Sequence, residues 1–371
     1  MPALFSLAIS ENNMLKMPFY DPTISYEDNY ELGPFGDFAN DKVYKQKGKP
    51  KAVFLKQKVY LPFGIPAGPV LNSRYVKSSF EKGFDIVVYK TVRSSYYPCH
   101  PYPNVLPLQL NGDLTLKKAS GKLKIKKEYG NPLSITNSFG VPSKDPYFWQ
   151  ADVKRSLSYA GEGQVLVLSF MGTVKKDQTE REFVSDFAHT ARMSYETGAK
   201  VLEVNLSCPN VGNEGLVCYN LAVTAKILKA IRGEIGNRSL IVKVGYYKEI
   251  AVLEKMAEIV NEYADDIAGI NTIPAEVINV KGEQALPGPN RLKSGVCGHA
   301  IKWAALETVS NLKEIKERRN FKFSITGVGG VTIPKDYFEF RKAGADVVMS
   351  ATGAMWNPLL AQQIKAKLKK K

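Results

Sequence analysis

From Gln164 onward, apolar runs of four to six residues alternate with longer segments whose apolar positions recur every three or four residues. The first pattern predicts strands buried on both faces, and the second predicts amphipathic helices. Strands are expected at Gln164–Phe170, Val201–Leu206, Leu240–Val244, Ile267–Asn271, Phe321–Thr326 and Asp346–Ser350. Helices are expected at Thr179–Thr197, Leu221–Gly233, Lys248–Tyr263, Ile301–Arg318, Pro334–Ala343 and Pro358–Lys369. Two earlier strands, Gly64–Ala67 and Asp85–Lys90, flank a helix over Asn72–Lys82 that Gly83 ends. Eight β/α units predict a closed (β/α)8 TIM barrel, an α/β fold with its site at the strands' carboxyl ends. A doubly wound open sheet is the alternative, but no G-x-G-x-x-G opening follows the first strand.

Two segments break the alternation. Residues 1–60 are aromatic-rich and irregular, and are expected to form an N-terminal extension packed on a barrel spanning 61–371. Residues 95–133 turn to Tyr, Pro, Gly and Lys, as expected for an inserted β-rich segment with a hairpin near Leu114–Lys126.

Composition narrows the class. With 371 residues, 44% hydrophobic and 23% charged, the chain can bury a large core. No apolar run is long enough to span a membrane, and MPALFSLAIS lacks a basic leader. Cys99, Cys208, Cys218 and Cys297 form no C-x-x-C pair, which suits a cytoplasmic protein better than a disulfide framework and gives no support to a zinc or iron–sulfur site. The net charge of +15 is concentrated in Leu116–Glu128 and the terminal KAKLKKK. Neither interleaves aromatics, so solvated surface is expected and nucleic acid is not.

The strand ends carry the chemistry. AKVLEVNLSCPN (Ala199–Asn210) ends a buried strand in two amides, Asn205 and Asn210, around the thiol of Cys208. Packing alone explains such a strand end poorly, because buried polar groups must be paired. The other strand ends bring Ala67, Lys90, Lys243, Asn271, Thr272 and Thr352, together with the glycines of ITGVGG (Gly327, Gly329 and Gly330). Two lysines and several amides with few carboxylates suit a planar, anionic, hydrogen-bonding ligand rather than a divalent metal. ITGVGG and SATGA follow strands seven and eight, where barrels hold phosphate on backbone N–H groups, which suggests flavin mononucleotide (FMN).

These motifs resemble the dihydroorotate dehydrogenase family, in its cysteine-base class 1. NLSCPN (Asn205–Asn210) is the most specific match. It is accompanied in order by KT (Lys90–Thr91), NSFG (Asn137–Gly140), VK (Val242–Lys243), NT (Asn271–Thr272), SGVCGHAIK (Ser294–Lys302) and ITGVGG. The resemblance implies FMN-dependent oxidation of dihydroorotate to orotate in pyrimidine biosynthesis. Cys208 would be the general base, with hydride passing to flavin N5. Lys90, Asn137, Asn205, Asn210, Asn271 and Thr272 would hold the substrate. Ala67, Gly68, Lys90, Thr91, Asn205, Lys243, Asn271, Gly295, Gly329, Gly330, Ala351 and Thr352 would hold FMN, and no metal is implied. The loop Val211–Asn220 would be a lid.

Departures from the family pattern are IPAGP at the first strand, Ala351 in place of a phosphate-loop glycine, and the long insertion. An acceptor such as fumarate or a quinone and a homodimer are family expectations. The competing readings are an FMN-dependent enzyme acting on another cyclic substrate, and a non-catalytic basic barrel that binds a partner or nucleic acid.

Overall fold

Alternating apolar residues on eight short strands build the centre of the molecule, here a computed structural model that describes residues 15–207, 216–289 and 291–369. The strands are Phe63–Ile65, Ile86–Val92, Val165–Phe170, Val201–Asn205, Ser239–Lys243, Asp266–Gly269, Ser324–Val328 and Val347–Met349. All pair in parallel and in sequence order, and the last closes on the first through Val348↔Phe63. The chain is therefore a closed (β/α)8 barrel, as the eight-unit count predicts.

The period of two divides each strand between two cores. Ile86, Val88, Val165, Val167, Val201, Ile241, Ala268, Val347 and Met349 fill the interior of the barrel. The intervening positions, among them Val87, Leu166, Leu202, Val242 and Ile267, pack outward against the helices.

The N-terminal extension is more ordered than its irregular sequence suggests. Ala52–Phe54 and Gln57–Val59 form an antiparallel hairpin, and Phe54 and Val59 join the barrel's interior core. Three-residue strands are too short to show a period in sequence, and their stability comes from this burial. Upstream, Tyr26–Leu32 is a helix capped by Ser25, whose side chain accepts from the Asp28 amide.

The inserted segment is also corrected. Leu116–Ala119 is a short helix with Thr115 as its cap, so no hairpin spans Leu114–Lys126. Instead Lys122–Ile125 pairs with Val105–Gln109 and, across the sequence, with Ile273–Ile278. Ser134–Asn137 and Lys293–Gly298 complete five strands that close on themselves. Residues 272–298, between the sixth barrel strand and its helix, are thus the other half of a β-rich cap. The helix Pro146–Leu157, absent from the expected elements, packs Trp149 and Val153 into the outer core. Among the described residues no helix is long and apolar enough to cross a membrane.

Candidate active site

The carboxyl ends of the barrel strands and the β-rich cap enclose a cavity of about 980 Å³, part of it open to solvent. Eleven of the residues expected at the site line it: Ala67, Gly68, Lys90, Thr91, Asn137, Asn205, Lys243, Asn271, Thr272, Ala351 and Thr352. The pleat explains the convergence. Lys90 continues the interior face of Ile86 and Val88, Asn205 that of Val201, and Lys243 that of Ile241. Each strand thus turns from apolar core to polar floor at its last interior position.

Hydrogen bonds fix the floor. Asn205 Nδ2 donates to Thr91 Oγ1 at 3.5 Å, and Thr91 Oγ1 lies 2.9 Å from Ser169 Oγ. Asn205 Oδ1 accepts from the Ser207 amide at 3.1 Å, which turns the chain at the strand end. Asn271 Nδ2 donates to the Ser207 carbonyl. Lys243 Nζ reaches across to the Ala67 carbonyl at 3.2 Å. Lys90 and Lys243 are only 7% and 3% exposed. Two cations so far out of water favour an anionic ligand beside them. Asn137, on the cap strand, donates to the Gly295 carbonyl and toward Cys297 Sγ, both at 3.4 Å.

The cavity takes part of its wall from residues not expected at the site. Tyr20 comes from the N-terminal extension, Val105 and Ile135 come from the cap, and Phe139 and Val141 come from the loop after Asn137. Cys297 faces the same space, with its thiol pushed up by burial despite hydrogen bonds to Thr352 and Asn137. Two buried arginines clamp the loop after Asn137. Arg93 donates to the carbonyls of Val141 at 2.9 Å and Gly140 at 3.2 Å. Arg291 Nη2 donates to the Ser138 carbonyl at 2.8 Å. An arginine immediately after a buried strand was the one signal in sequence for Arg93; Arg291 lies 153 residues from Ser138, and no local pattern reports that pairing.

Three expected cofactor residues lie outside the cavity wall. Gly295 backs it, since a Cβ there would meet Thr272 Oγ1 at 2.6 Å. Gly329 and Gly330 turn the chain after the seventh strand with φ of +117° and +86°. A Cβ on Gly330 would meet Lys302 Cα at 2.6 Å. A Cβ on Gly353, in the next loop, would strike the Val331 carbonyl. Two backbone-rich loops therefore pack against each other beside Ala351 and Thr352. Cys208 and Asn210, with residues 211–215 of the expected lid, lie outside the described residues; Val217–Tyr219, the remainder of that loop, is a 3-10 turn.

The residues present suit a flat, phosphate-bearing group. Gly68, with φ of +141°, leaves open space where a Cβ would stand. Thr272 Oγ1 and Ser207 Oγ are buried without a hydrogen-bond partner among the described residues. Among those residues no cluster of three or more His, Cys, Asp or Glu could hold a metal ion.

Fold and cavity together define a (β/α)8 barrel whose strand ends bring two lysines and several amides to one cavity. The family model described as "Dihydroorotate dehydrogenase" matches residues 127–371. The dihydroorotate dehydrogenase of Dictyostelium discoideum is 38% identical over 365 residues, covering 94% of this chain and 97% of that protein. A probable dihydroorotate dehydrogenase A (fumarate) of Enterococcus faecalis is 27% identical over 60% of this chain and 68% of its own length. In fold, the chain resembles the dihydroorotate dehydrogenase of Eimeria tenella solved with ferulenol, with a TM-score of 0.63 and 17% identity over 85% of this chain and 82% of that one. The chain belongs to the dihydroorotate dehydrogenase family.

Proposed function

We propose that this cavity oxidises dihydroorotate to orotate by taking a proton to Cys208 and releasing a hydride from the adjacent ring carbon. The oxidoreductase activity and the FMN cofactor follow from family membership; the assignment of individual residues is our own reading. The observation that carries it is the convergence of Lys90, Asn137, Asn205, Lys243, Asn271 and Thr272 on one cavity.

Bound FMN supplies the two-electron acceptor for the hydride from C6. Lys90, Asn137 and Thr272 would bind the ring and its carboxylate, and Asn205 and Asn271 would orient the ring. The Ala67–Gly68 turn lets a flat group lie against backbone, and Lys243 places positive charge beside it. Ala351, Thr352, Gly329 and Gly330 supply the phosphate end, with Gly295 and Thr91 supporting the wall. Cys208, the residue after Ser207 in sequence, is assigned the C5 proton, and a thiol serves as base only as thiolate.

Fumarate fits the same cavity as the terminal acceptor, because it too is a small, planar carboxylate. A quinone would need a further apolar entrance. The reading includes a cytoplasmic homodimer, in line with the family.

Cys208→Ala tests the base. The variant is expected to keep its flavin and bind orotate, while flavin reduction by dihydroorotate slows at least about 100-fold, as loss of a positioned base implies. Reduction at the native rate would remove Cys208 from the mechanism.

A further inference from the structure

One buried acid of the barrel has no role in the chemistry above. Glu203 occupies the interior position between Val201, in the apolar core, and Asn205, on the cavity floor. It is 1% exposed, and its Oε1 has no hydrogen-bond partner among the described residues. Buried carboxylates are rare and are held by a cation or hydrogen bonds. On one side, Ser169 stands directly opposite in the parallel ladder and hydrogen-bonds the carboxyl. On the other, the ladder pairs Glu203 with Ile241 and Asn205 with Lys243, which makes Lys243 the diagonal neighbour on the same interior face.

A chain of side chains joins this acid to the floor. Glu203 meets Ser169, Ser169 Oγ lies 2.9 Å from Thr91 Oγ1, and Thr91 accepts from Asn205. A second buried acid, Asp266, lies at the same height two strands away, where Oδ2 accepts from Thr326 Oγ1 at 2.9 Å. Burial pushes the Asp266 carboxyl well up, and the neighbouring Asp346 and Glu203 add to that shift. Burial also pushes Glu203 up, and Lys243 and the Ser169 hydrogen bond oppose that shift. Of these two buried acids, Glu203 is the one that shares its interior face with Lys243 as a diagonal neighbour.

We propose that Glu203 is a positioning residue for Lys243, its carboxylate balancing the ammonium from below and so tuning how strongly the site favours a reduced, anionic flavin. The proposal rests on the functional reading above. The carboxylate fixes the lysine's reach toward the Ala67 carbonyl. It also offsets part of the positive field that the ligand meets, so that the site holds both redox states of the cofactor.

The test is the midpoint potential of the bound flavin, measured by dye-coupled reduction with dithionite in the holoenzyme, without dihydroorotate. Glu203→Gln removes the charge and keeps the shape. It is expected to raise the potential by about 30 mV or more, which for a two-electron couple is a tenfold gain in preference for the reduced flavin. Glu203→Met, similar in length and free of orphan polar atoms, guards against misfolding of the amide variant and is expected to shift the potential in the same direction. Glu203→Asp, which keeps the charge, should stay nearer the native value than either. An unchanged or lowered potential in a folded Gln or Met variant overturns the proposal, as does failure of both to fold, which would make Glu203 structural. A native protein that retains no flavin would instead overturn the functional reading itself.

Discussion

Gly330→Ala probes the loop on which the phosphate end of the site depends. Gly330 has φ of +86°, a region that costs an L-residue about 1–2 kcal/mol. The added Cβ would also meet Lys302 N at 2.7 Å, Cα at 2.6 Å and Cβ at 2.5 Å. Two of these are backbone atoms at the start of the Lys302–Arg319 helix, so a rotamer change cannot relieve them. That helix start is fixed in turn, because Lys302 Nζ donates to Asp336 at 2.8 Å and Glu339 at 3.0 Å, and Asp336 caps the next loop. Overpacking of this kind costs typically about 1–3 kcal/mol. The two terms together predict a loss of about 2–5 kcal/mol. Urea unfolding followed by far-UV circular dichroism measures it, and flavin-to-protein stoichiometry after gel filtration reports the second consequence. The variant should lose both stability and flavin. A folded variant with native stability and full flavin would refute the close approach and the role assigned to this turn.

Arg291→Met removes the clamp on the Ser138 carbonyl, leaves the Pro103 carbonyl without its Arg291 donor, and leaves those of Ser138 and Pro101 to Asn104 alone. A loss of about 2–4 kcal/mol in chemical denaturation is expected from unsatisfied buried groups, with KM for dihydroorotate raised more than kcat is lowered; native stability with native KM would contradict it. Lys365→Met breaks the ion pair to Asp85, at 2.8 Å, where both side chains are almost wholly buried. Burial pushes the Asp85 carboxyl up to about 6 against the pull of Lys365, so the folded chain binds that proton more tightly than the unfolded chain. The stability tied to it is therefore present at low pH and lost as pH rises toward 6. The variant should be about 3–5 kcal/mol less stable at pH 8, and the deficit should shrink as pH falls through 6 and below; a deficit that grows on acidification would reverse the sign of this argument.

Much of the barrel was legible because burial on both faces writes continuous apolar runs, as in Ile86–Tyr89 and Val165–Phe170. Boundaries drifted where polar residues continue a strand: the seventh runs to Val328, past the expected end at Thr326, because Thr326 turns inward to Asp266. The floor of the site was legible for a related reason, since polar residues at the end of an apolar strand have few structural uses. The cap was not, because its five strands come from 105–137 and 273–298, and pairing across that separation leaves no local trace. Tyr20 was missed as a site residue because it looks like an ordinary apolar position until the fold carries it to the cavity, and Cys297 because the motif around it drew attention to its glycines.

The most direct measurement is the visible spectrum of the purified protein, taken before and after anaerobic addition of dihydroorotate. The account predicts a yellow protein, with about one FMN per chain, that bleaches on addition and recovers when fumarate follows. A flavin-loaded protein that dihydroorotate leaves yellow, while dithionite bleaches it, would contradict the substrate assigned to this cavity.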